Sequence, residues 1–257
     1  MAALSKLLVI WTLGHALAAC GGSSDTPPGP LGKHFDDMYI AQIPLDQKTQ
    51  VVQTQNDWSL AKMAQAKAEA DYNDSATVIS VARNDLKASR LGVDSAISQK
   101  KSAQSSNDNN RINQATKDEQ VAEHLSKAAE ARVKFLEAYR DYLKVVWRQS
   151  QEMMYWREAQ YELAKSSLAQ KTNISPKGVK FEWYQSQEKE RGSRAATWKG
   201  KLGDKQKQTQ ASHDNWVKLQ KTADTENGHP SALPDPMAAP AAGAAAASDG
   251  VGQSSPQ

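Results

Sequence analysis

The sequence predicts an all-α protein, an elongated antiparallel helical hairpin or coiled coil with a third helix packed on its base. Only 39% of the 257 residues are hydrophobic, and the chain contains three phenylalanines. So small an apolar supply favours a narrow helical seam over a large globular core, because a seam needs only about two apolar positions in seven. Apolar and small residues also recur at spacings of three and four, the period of one helix face.

The first helical stripe extends from about Leu45 to Ala103 and includes Trp58 and Ile79. The Ser-, Asn- and Asp-rich residues 105–110 then interrupt the stripe. Asn and Asp favour turns because their side chains bond to nearby backbone and tolerate left-handed conformations. We expect a turn there, so that a hairpin occupies residues 45–173; one continuous helix is the alternative.

The second stripe begins after the turn, at about Ile112, and continues to Leu168. Pro176 and Gly178 then stop it, because proline cannot continue a helix and glycine favours its end. The two arms flank the Asn-rich turn almost symmetrically, which favours an antiparallel hairpin. Trp58 should then lie opposite residues 156–161, in an aromatic core at the base of the hairpin, nearest the N-terminal end.

A third stripe, from Phe181 to Leu219, predicts a helix over residues 177–224 that folds back along the second arm. The alternation of residues 179–183 leaves a short strand as the alternative. Residues 177–224 carry eleven Lys or Arg against six Asp or Glu. This excess indicates either attraction to an anionic surface such as lipid headgroups, or simply a solvated helix face.

The first twenty residues, MAALSKLLVIWTLGHALAAC, have the organisation of an export signal. Lys6 provides a positive charge, residues 7–13 are apolar, and small residues follow. The apolar run is too short to span a bilayer, since a spanning helix needs about 20 apolar residues. We therefore expect residues 1–19 to be a signal peptide.

The end of this signal, Leu17-Ala18-Ala19-Cys20, resembles the lipobox of bacterial lipoproteins. The resemblance implies that Leu17, Ala18 and Ala19 are recognised by the signal peptidase, and that the Cys20 thiol carries a diacylglyceryl group. Gly21 stands where an Asp would favour the inner membrane of enteric-type bacteria. The resemblance therefore implies an outer-membrane protein that faces the periplasm. An ordinary signal peptide with a nearby cysteine is the alternative.

Both ends of the body lack the helical pattern. Residues 21–33 consist mainly of Gly, Ser and Pro, and we expect residues 20–44 to form a lipidated cysteine and a flexible tether. Residues 225–257 are rich in Pro, Ala and Gly and should be disordered.

No group of residues in the sequence predicts catalysis or a cofactor. The five histidines lack metal-ligand spacing, and we expect His124 and His213 to be solvated among charged neighbours. Neighbouring acids and bases along the helices are typical of surface pairs. There is no Gly-rich phosphate loop and no G-x-S-x-G motif. We expect no enzyme, no cofactor, no metal and, because of the export signal, no nucleic-acid partner.

Bulky residues concentrate on the second arm, where Trp147, Met153, Met154 and Trp156 form a candidate partner surface. Residues 153–156 are four bulky side chains in a row, more than one helix face buries against one neighbour. At helical spacing, Met and aromatic residues are more typical of a core. Either the third helix covers the second face of this arm, or another chain does, through self-association or a protein partner.

Together these observations predict a membrane-anchored periplasmic coiled-coil lipoprotein. Its expected role is that of a non-enzymatic structural, tethering or scaffold component of the cell envelope. The alternative is an accessory subunit of an export or secretion machine that docks through the hairpin tip.

Overall fold

A computed structural model describes residues 26–238, and the prediction of an all-α fold is confirmed. Three long helices pack against each other, and no strand occurs within residues 26–238. Two short 3₁₀ helices precede them. The elements, in chain order, are the 3₁₀ helices Asp37–Ile40 and Leu45–Lys48, then α1 (Thr49–Ser105), α2 (Asn109–Lys171) and α3 (Phe181–Asn227).

The turn between α1 and α2 falls within the Asn-rich stretch, so one continuous helix is excluded. Asn107 adopts a left-handed conformation (φ 54°), which Asn tolerates better than most residues. The Asp108 carboxylate then caps α2, because its Oδ1 accepts the backbone N–H of Asn110 at 2.9 Å and that of Arg111 at 3.3 Å.

The end of α2 also depends on residues that tolerate a left-handed backbone conformation. Asn173 is left-handed (φ 57°), and Gly178 has a φ of 83°, which costs glycine nothing because it has no Cβ. Residues 181–183 already belong to α3, so the short strand considered over residues 179–183 does not form.

The described chain divides into two compact units. Unit 1 contains residues 26–70 and 144–203, and unit 2 contains residues 71–143 and 204–238. In both units, parts of all three helices enclose an apolar cluster. Within residues 26–238 no helix is long and apolar enough to cross a membrane.

The unit 1 cluster contains the predicted aromatic core. Trp58 of α1 stacks on Tyr161 of α2, with ring centroids 5.8 Å apart and planes 21° apart. Phe35 is 2% exposed and lies edge-on to Tyr184 of α3, with centroids 6.0 Å apart. The buried members of this cluster are Phe35, Ile40, Ile43, Val51, Tyr161, Ala164, Leu168, Ala169 and Tyr184.

The segment expected to be a flexible tether is packed over its described part. In residues 26–44, which we call the N-terminal segment, Leu31, Phe35, Ile40 and Ile43 are buried, with exposed fractions between 2% and 8%. Three of these four side chains belong to the unit 1 cluster, and removing such side chains from water contributes about 1.5–3 kcal/mol each. The prediction of a tether over residues 20–44 is therefore wrong from Leu31 onward.

Unit 2 has an aromatic centre that the sequence did not indicate. Phe135 of α2 is fully buried, and its ring stacks on Trp216 of α3 with centroids 5.2 Å apart and planes 6° apart. Ile79 and Ala82 of α1 complete the pocket around them. The two rings are 81 positions apart in the chain (216 minus 135), so helical periodicity cannot pair them.

The predicted disorder from residue 225 is also wrong over the described part. The helix α3 continues to Asn227, and Gly228 ends it with a φ of 75°. Residues 228–238, which we call the C-terminal segment, then return along unit 2, where Leu233 and Met237 pack against the cluster. The segment packs there because these two apolar side chains are removed from water, although the rest of the segment is polar. Residues 239–257 lie outside the described residues.

Candidate functional site

The best-supported site of the sequence lies outside the described residues. Leu17, Ala18, Ala19 and Cys20 all precede Thr26, where the description begins. Lipidation of Cys20 therefore stays a prediction. What the structure does describe is how the chain that follows Cys20 joins the helices.

The candidate partner surface is largely covered. Trp147, Met153, Met154 and Trp156 are all half-buried, and none is exposed. Trp156 packs between α2 and α3, where its indole Nε1 donates to Glu188 at 2.8 Å. A Cβ at Gly192 would lie only 2.9 Å from that nitrogen, so glycine permits this close approach. Trp156 is therefore part of the internal packing of unit 1, and α3 supplies the second covering face.

A row of buried charged side chains on α2 faces the N-terminal segment and α3. Glu152, Glu158, Glu162 and Lys165 are between 1% and 3% exposed, although charged residues are rarely so buried unless they are paired. The spacing of Glu158, Glu162 and Lys165 places these three on one face of α2, and Glu152 lies nearer the start of the helix on an adjacent face. We call these four residues the charge clamp. The sequence had suggested that such acids and bases form surface pairs, and for these four that interpretation is wrong.

The strongest part of the clamp holds Phe35 by both of its backbone groups. The Phe35 N–H donates to Glu162 Oε2 at 2.6 Å, and Lys165 Nζ donates to the Phe35 carbonyl oxygen at 2.8 Å. Lys165 also binds Asp37 Oδ1 at 2.8 Å and Glu162 Oε1 at 3.0 Å. Because Lys165 meets two carboxylates and a carbonyl, its buried charge is compensated.

The middle of the clamp is Glu158. Its Oε2 accepts the Leu31 backbone N–H at 3.4 Å. Burial raises the pKa of the Glu158 carboxyl above its usual value, against the opposing effects of that hydrogen bond and of the positive charge of Arg191.

The other end of the clamp is Glu152, which is paired with two arginines. Its Oε1 lies 2.8 Å from Arg148 and 2.9 Å from Arg194, and Arg194 Nε donates to Oε2 at 3.2 Å. Both arginines also donate to the carbonyl oxygen of Thr26, at 2.6 Å from Arg148 and 3.2 Å from Arg194. Helices α2 and α3 therefore hold the first described residue jointly.

The contacts with α2 show in which direction the N-terminal segment runs along that helix. Thr26 lies beside Arg148, Leu31 beside Glu158, and Asp37 beside Lys165, so the segment runs parallel to α2. The 17 residues from 148 to 165 correspond to about 25 Å of helix. Thr26, the described residue nearest Cys20, therefore lies about 25 Å along α2 from the aromatic core. The sequence predicts this core at the N-terminal end of the body, and the structure places Thr26 away from it.

The electrostatics of Lys165 indicate how firmly the segment is held. Burial alone would lower the pKa of Lys165, but its hydrogen bonds with Asp37 and Glu162 outweigh that effect and raise it. Lys165 is therefore charged across the physiological range, and the attraction to its partners persists there.

In unit 2, histidine has a role that the sequence did not suggest. His213 was expected to be solvated, but its side chain is only 15% exposed and its ring lies 5.0 Å from that of Phe135. Its Nε2 lies 2.8 Å from Asp235 Oδ2, so it joins α3 to the C-terminal segment. His124, also expected to be solvated, is paired with Glu226.

Within residues 26–238 there is no group of three or more His, Cys, Asp or Glu side chains that could hold a metal ion. Comparison of the chain with protein families, with curated proteins and with solved structures finds no match. The charge clamp is therefore the feature from which a function can be argued.

Proposed function

We propose that this chain is a lipid-anchored, non-enzymatic structural, tethering or scaffold component of a bacterial cell envelope. The Leu17-Ala18-Ala19-Cys20 motif supports the anchor, and Gly21 after it supports the outer membrane as the location. In this proposal the lipid on Cys20 holds the protein at the periplasmic face of that membrane. Two or three acyl chains suffice for stable anchoring, whereas one does not.

The observation that carries the scaffold role is the charge clamp. Only residues 21–25 separate Cys20 from Thr26, and from Thr26 onward buried charges bind the chain to α2 and α3. A long flexible leash would let the body move freely away from its anchor. Here only five residues separate Cys20 from the first residue that α2 and α3 hold, so the position of the anchor limits the position of unit 1, as a tether or scaffold requires.

Lipidation and location are tested together by two substitutions. Cells are fed an alkyne-labelled fatty acid, and the N-terminal peptide is analysed by mass spectrometry. We expect the label on Cys20, and its loss together with membrane attachment in Cys20→Ser. We expect Gly21→Asp to move the protein to the inner membrane, whereas Ser24→Asp, which adds the same charge three positions further on, does not. Unlabelled Cys20 in the unsubstituted chain contradicts the proposal.

The scaffold role is distinguished from the alternative, an accessory subunit of an export machine, by the proteins that contact the turn between α1 and α2. A photo-crosslinking residue replaces the exposed Asn109 beside the turn, and Leu91, which is 68% exposed on α1, serves as the control position. Capture of envelope components supports the scaffold role. Capture of subunits of an export machine from position 109, but not from position 91, favours the accessory role and contradicts our proposal.

A further inference from the structure

Unit 1 contains a polar crevice that is lined by α1, α2 and Glu188 of α3. Its volume of about 470 Å³ lies within the range of small-ligand sites, but its lining differs from theirs. Such sites are lined mostly by apolar side chains, whereas all but Leu163 and Ala164 of the ten residues around this cavity are polar or charged. We call this cavity the polar crevice.

Four of the lining side chains are linked to one another across the three helices. Arg157 Nη1 of α2 donates to Gln160 Oε1 at 2.7 Å and lies 3.6 Å from Asp57 Oδ2 of α1. Gln160 Nε2 then lies 3.3 Å from Glu188 Oε1 of α3, to which it donates. Because each side chain orients the next, these groups are held in place without a ligand, and this lowers the entropy cost of binding one.

Three other lining side chains have hydrogen-bonding groups without a partner in the described chain. The side chains of Gln50 and Gln53 on α1 and of Ser167 on α2 make no hydrogen bond within residues 26–238. A carboxamide offers donors and an acceptor oxygen, and a hydroxyl both donates and accepts. Both sides of the polar crevice therefore present donors and acceptors together.

The chemistry of the lining matches a neutral saccharide. Each sugar hydroxyl both donates and accepts, as the unpaired side chains do, and Leu163 and Ala164 suit the C–H groups of a sugar ring. Arg157 is outnumbered by two carboxylates, Asp57 and Glu188, so an anionic ligand would be repelled. A peptide is disfavoured, because the polar crevice has no sheet edge, apolar groove or arginine cluster of the kinds that bind peptides.

We infer that the polar crevice binds a neutral saccharide and that the glycan strands of the cell wall supply it. The saccharide class follows from the lining of the crevice alone. The wall as the source rests on the proposed envelope function, because N-acetylated wall glycan is a saccharide polymer that a periplasmic protein meets. Unit 1 then joins the lipid on Cys20 to the wall, and this specifies what the proposed tether connects.

Isothermal titration calorimetry of the full lipidated chain in detergent micelles tests the saccharide class. One probe is the tetramer of N-acetylglucosamine, which has the acetamido groups of wall glycan, and the other is maltotetraose, which lacks them. We expect the first to bind saturably with a Kd of about 1 mM or lower. Its Kd should be the same in about 1 M salt, because salt screens charges and this ligand has none.

A pair of substitutions removes unpaired groups from both sides of the polar crevice. Gln53→Ala with Ser167→Ala should raise the Kd at least about tenfold, because hydrogen bonds to the ligand are lost. The unfolding temperature should stay the same, because neither side chain bonds to another group of the described chain. The control is Gln55→Ala with Ser193→Ala, which removes the same groups at exposed positions outside the crevice and should leave the Kd unchanged.

Sedimentation with isolated cell walls, stripped of proteins and anionic polymers, identifies the source of the saccharide. The unsubstituted chain and the control pair should sediment with the walls, and the N-acetylglucosamine tetramer should release them. The crevice pair should stay in solution.

The opposite results would overturn the inference. The absence of saturable heat with both tetramers, or an equal loss of binding in the crevice and control pairs, refutes the saccharide site. Binding of maltotetraose alone refutes wall glycan as the source. Release from the walls by a wall peptide, and not by the tetramer, identifies a peptide as the occupant. The titration does not depend on lipidation, so its failure leaves the proposed anchor intact, and an unmodified Cys20 refutes the anchor without refuting the saccharide site.

Discussion

The N-terminal and C-terminal segments are both bound to helices, but by different chemistry. In unit 1, backbone groups of the N-terminal segment meet side chains that are almost fully buried, such as Glu162 and Lys165. In unit 2, the C-terminal segment is held by Asp235, whose side chain is 22% exposed, and by Leu233 and Met237 at the edge of the cluster. The first attachment lies inside the fold, and the second lies at its surface.

The difference determines what it costs to release each segment. Removing the N-terminal segment would take the Phe35 N–H from Glu162, and the Phe35 carbonyl and Asp37 from Lys165, so that this pair would lose most of the contacts that compensate its charges. Removing the C-terminal segment returns partly solvated groups to water at little cost. The stronger attachment belongs to the segment that follows the proposed lipid anchor, as expected if that segment transmits load.

The largest expected effect follows from breaking the clamp. Lys165→Met keeps the volume but leaves the carboxylate of Glu162 buried without its cation, and should lower the free energy of unfolding by about 3–5 kcal/mol. Denaturant unfolding of the Cys20→Ser chain measures this cost. Hydrogen exchange should show the amides of Leu31 and Phe35 losing protection first.

The matched control is Lys171→Met, at an exposed position in the last turn of α2. It should change stability by no more than about 0.5 kcal/mol, as is usual for surface substitutions. If Lys165→Met costs no more than the control, the clamp does not hold the N-terminal segment.

A smaller effect is expected in unit 2. Asp235→Ala removes the partner of the His213 Nε2 and should cost about 1 kcal/mol, the usual net value of a partly exposed hydrogen bond. Limited proteolysis should then cleave the C-terminal segment faster, while unit 1 keeps its protection. Asp204→Ala, at an exposed position of α3, is the control. A loss as large as that of Lys165→Met would mean that the two attachments do not differ.

The smallest effects concern pH, where the two units should respond in opposite directions. Burial raises the pKa of Glu158 above 4.5, so its contribution to stability is complete below pH 4.5 and is lost as the pH rises through the raised pKa. Burial would also raise the pKa of Asp224, but hydrogen bonds from Ser231 and Gln220 bring it below 3.8. Its contribution is present above pH 3.8 and is lost as the pH falls through the lowered pKa.

Thermal unfolding across this pH range checks both signs. The unsubstituted chain should lose stability as the pH rises above 4.5, and this part of its pH dependence should be absent in Glu158→Gln. It should also lose stability as the pH falls below 3.8, and that part should be absent in Asp224→Asn. The unsubstituted chain is the reference for both slopes. If the two substitutions changed the pH dependence of the unfolding temperature in the same direction, the assigned pKa directions of Glu158 and Asp224 would be contradicted.

The helices and their ends could be predicted from the sequence because their determinants are local. Apolar spacing marks the helical segments, and Asn107, Asn173 and Gly178 mark their ends through backbone conformations that few other residues accept. The position of Trp58 opposite residues 156–161 also followed, because a hairpin with a known turn fixes which residues face each other; its stacking on Tyr161 is what the structure adds.

The clamp could not be predicted, because its residues have the same local pattern as surface pairs. Glu152 of the clamp and its partner Arg148, spaced by four, have the sequence pattern of a solvated helix pair. What buries them is Thr26 and Arg194, which come from distant parts of the chain. The composition of the N-terminal segment indicates flexibility, and only the positions of Leu31 and Phe35 hint that it packs.

The parallel course of the N-terminal segment along α2 also has a mechanical consequence. Tension that pulls the chain ahead of Thr26 along the axis of α2 acts in shear, so the contacts at Arg148, Glu158, Glu162 and Lys165 share the force. Tension perpendicular to α2 would instead peel them away one at a time, beginning at Thr26. The rupture force of this attachment should therefore depend on the direction of pulling and be greatest along the helix.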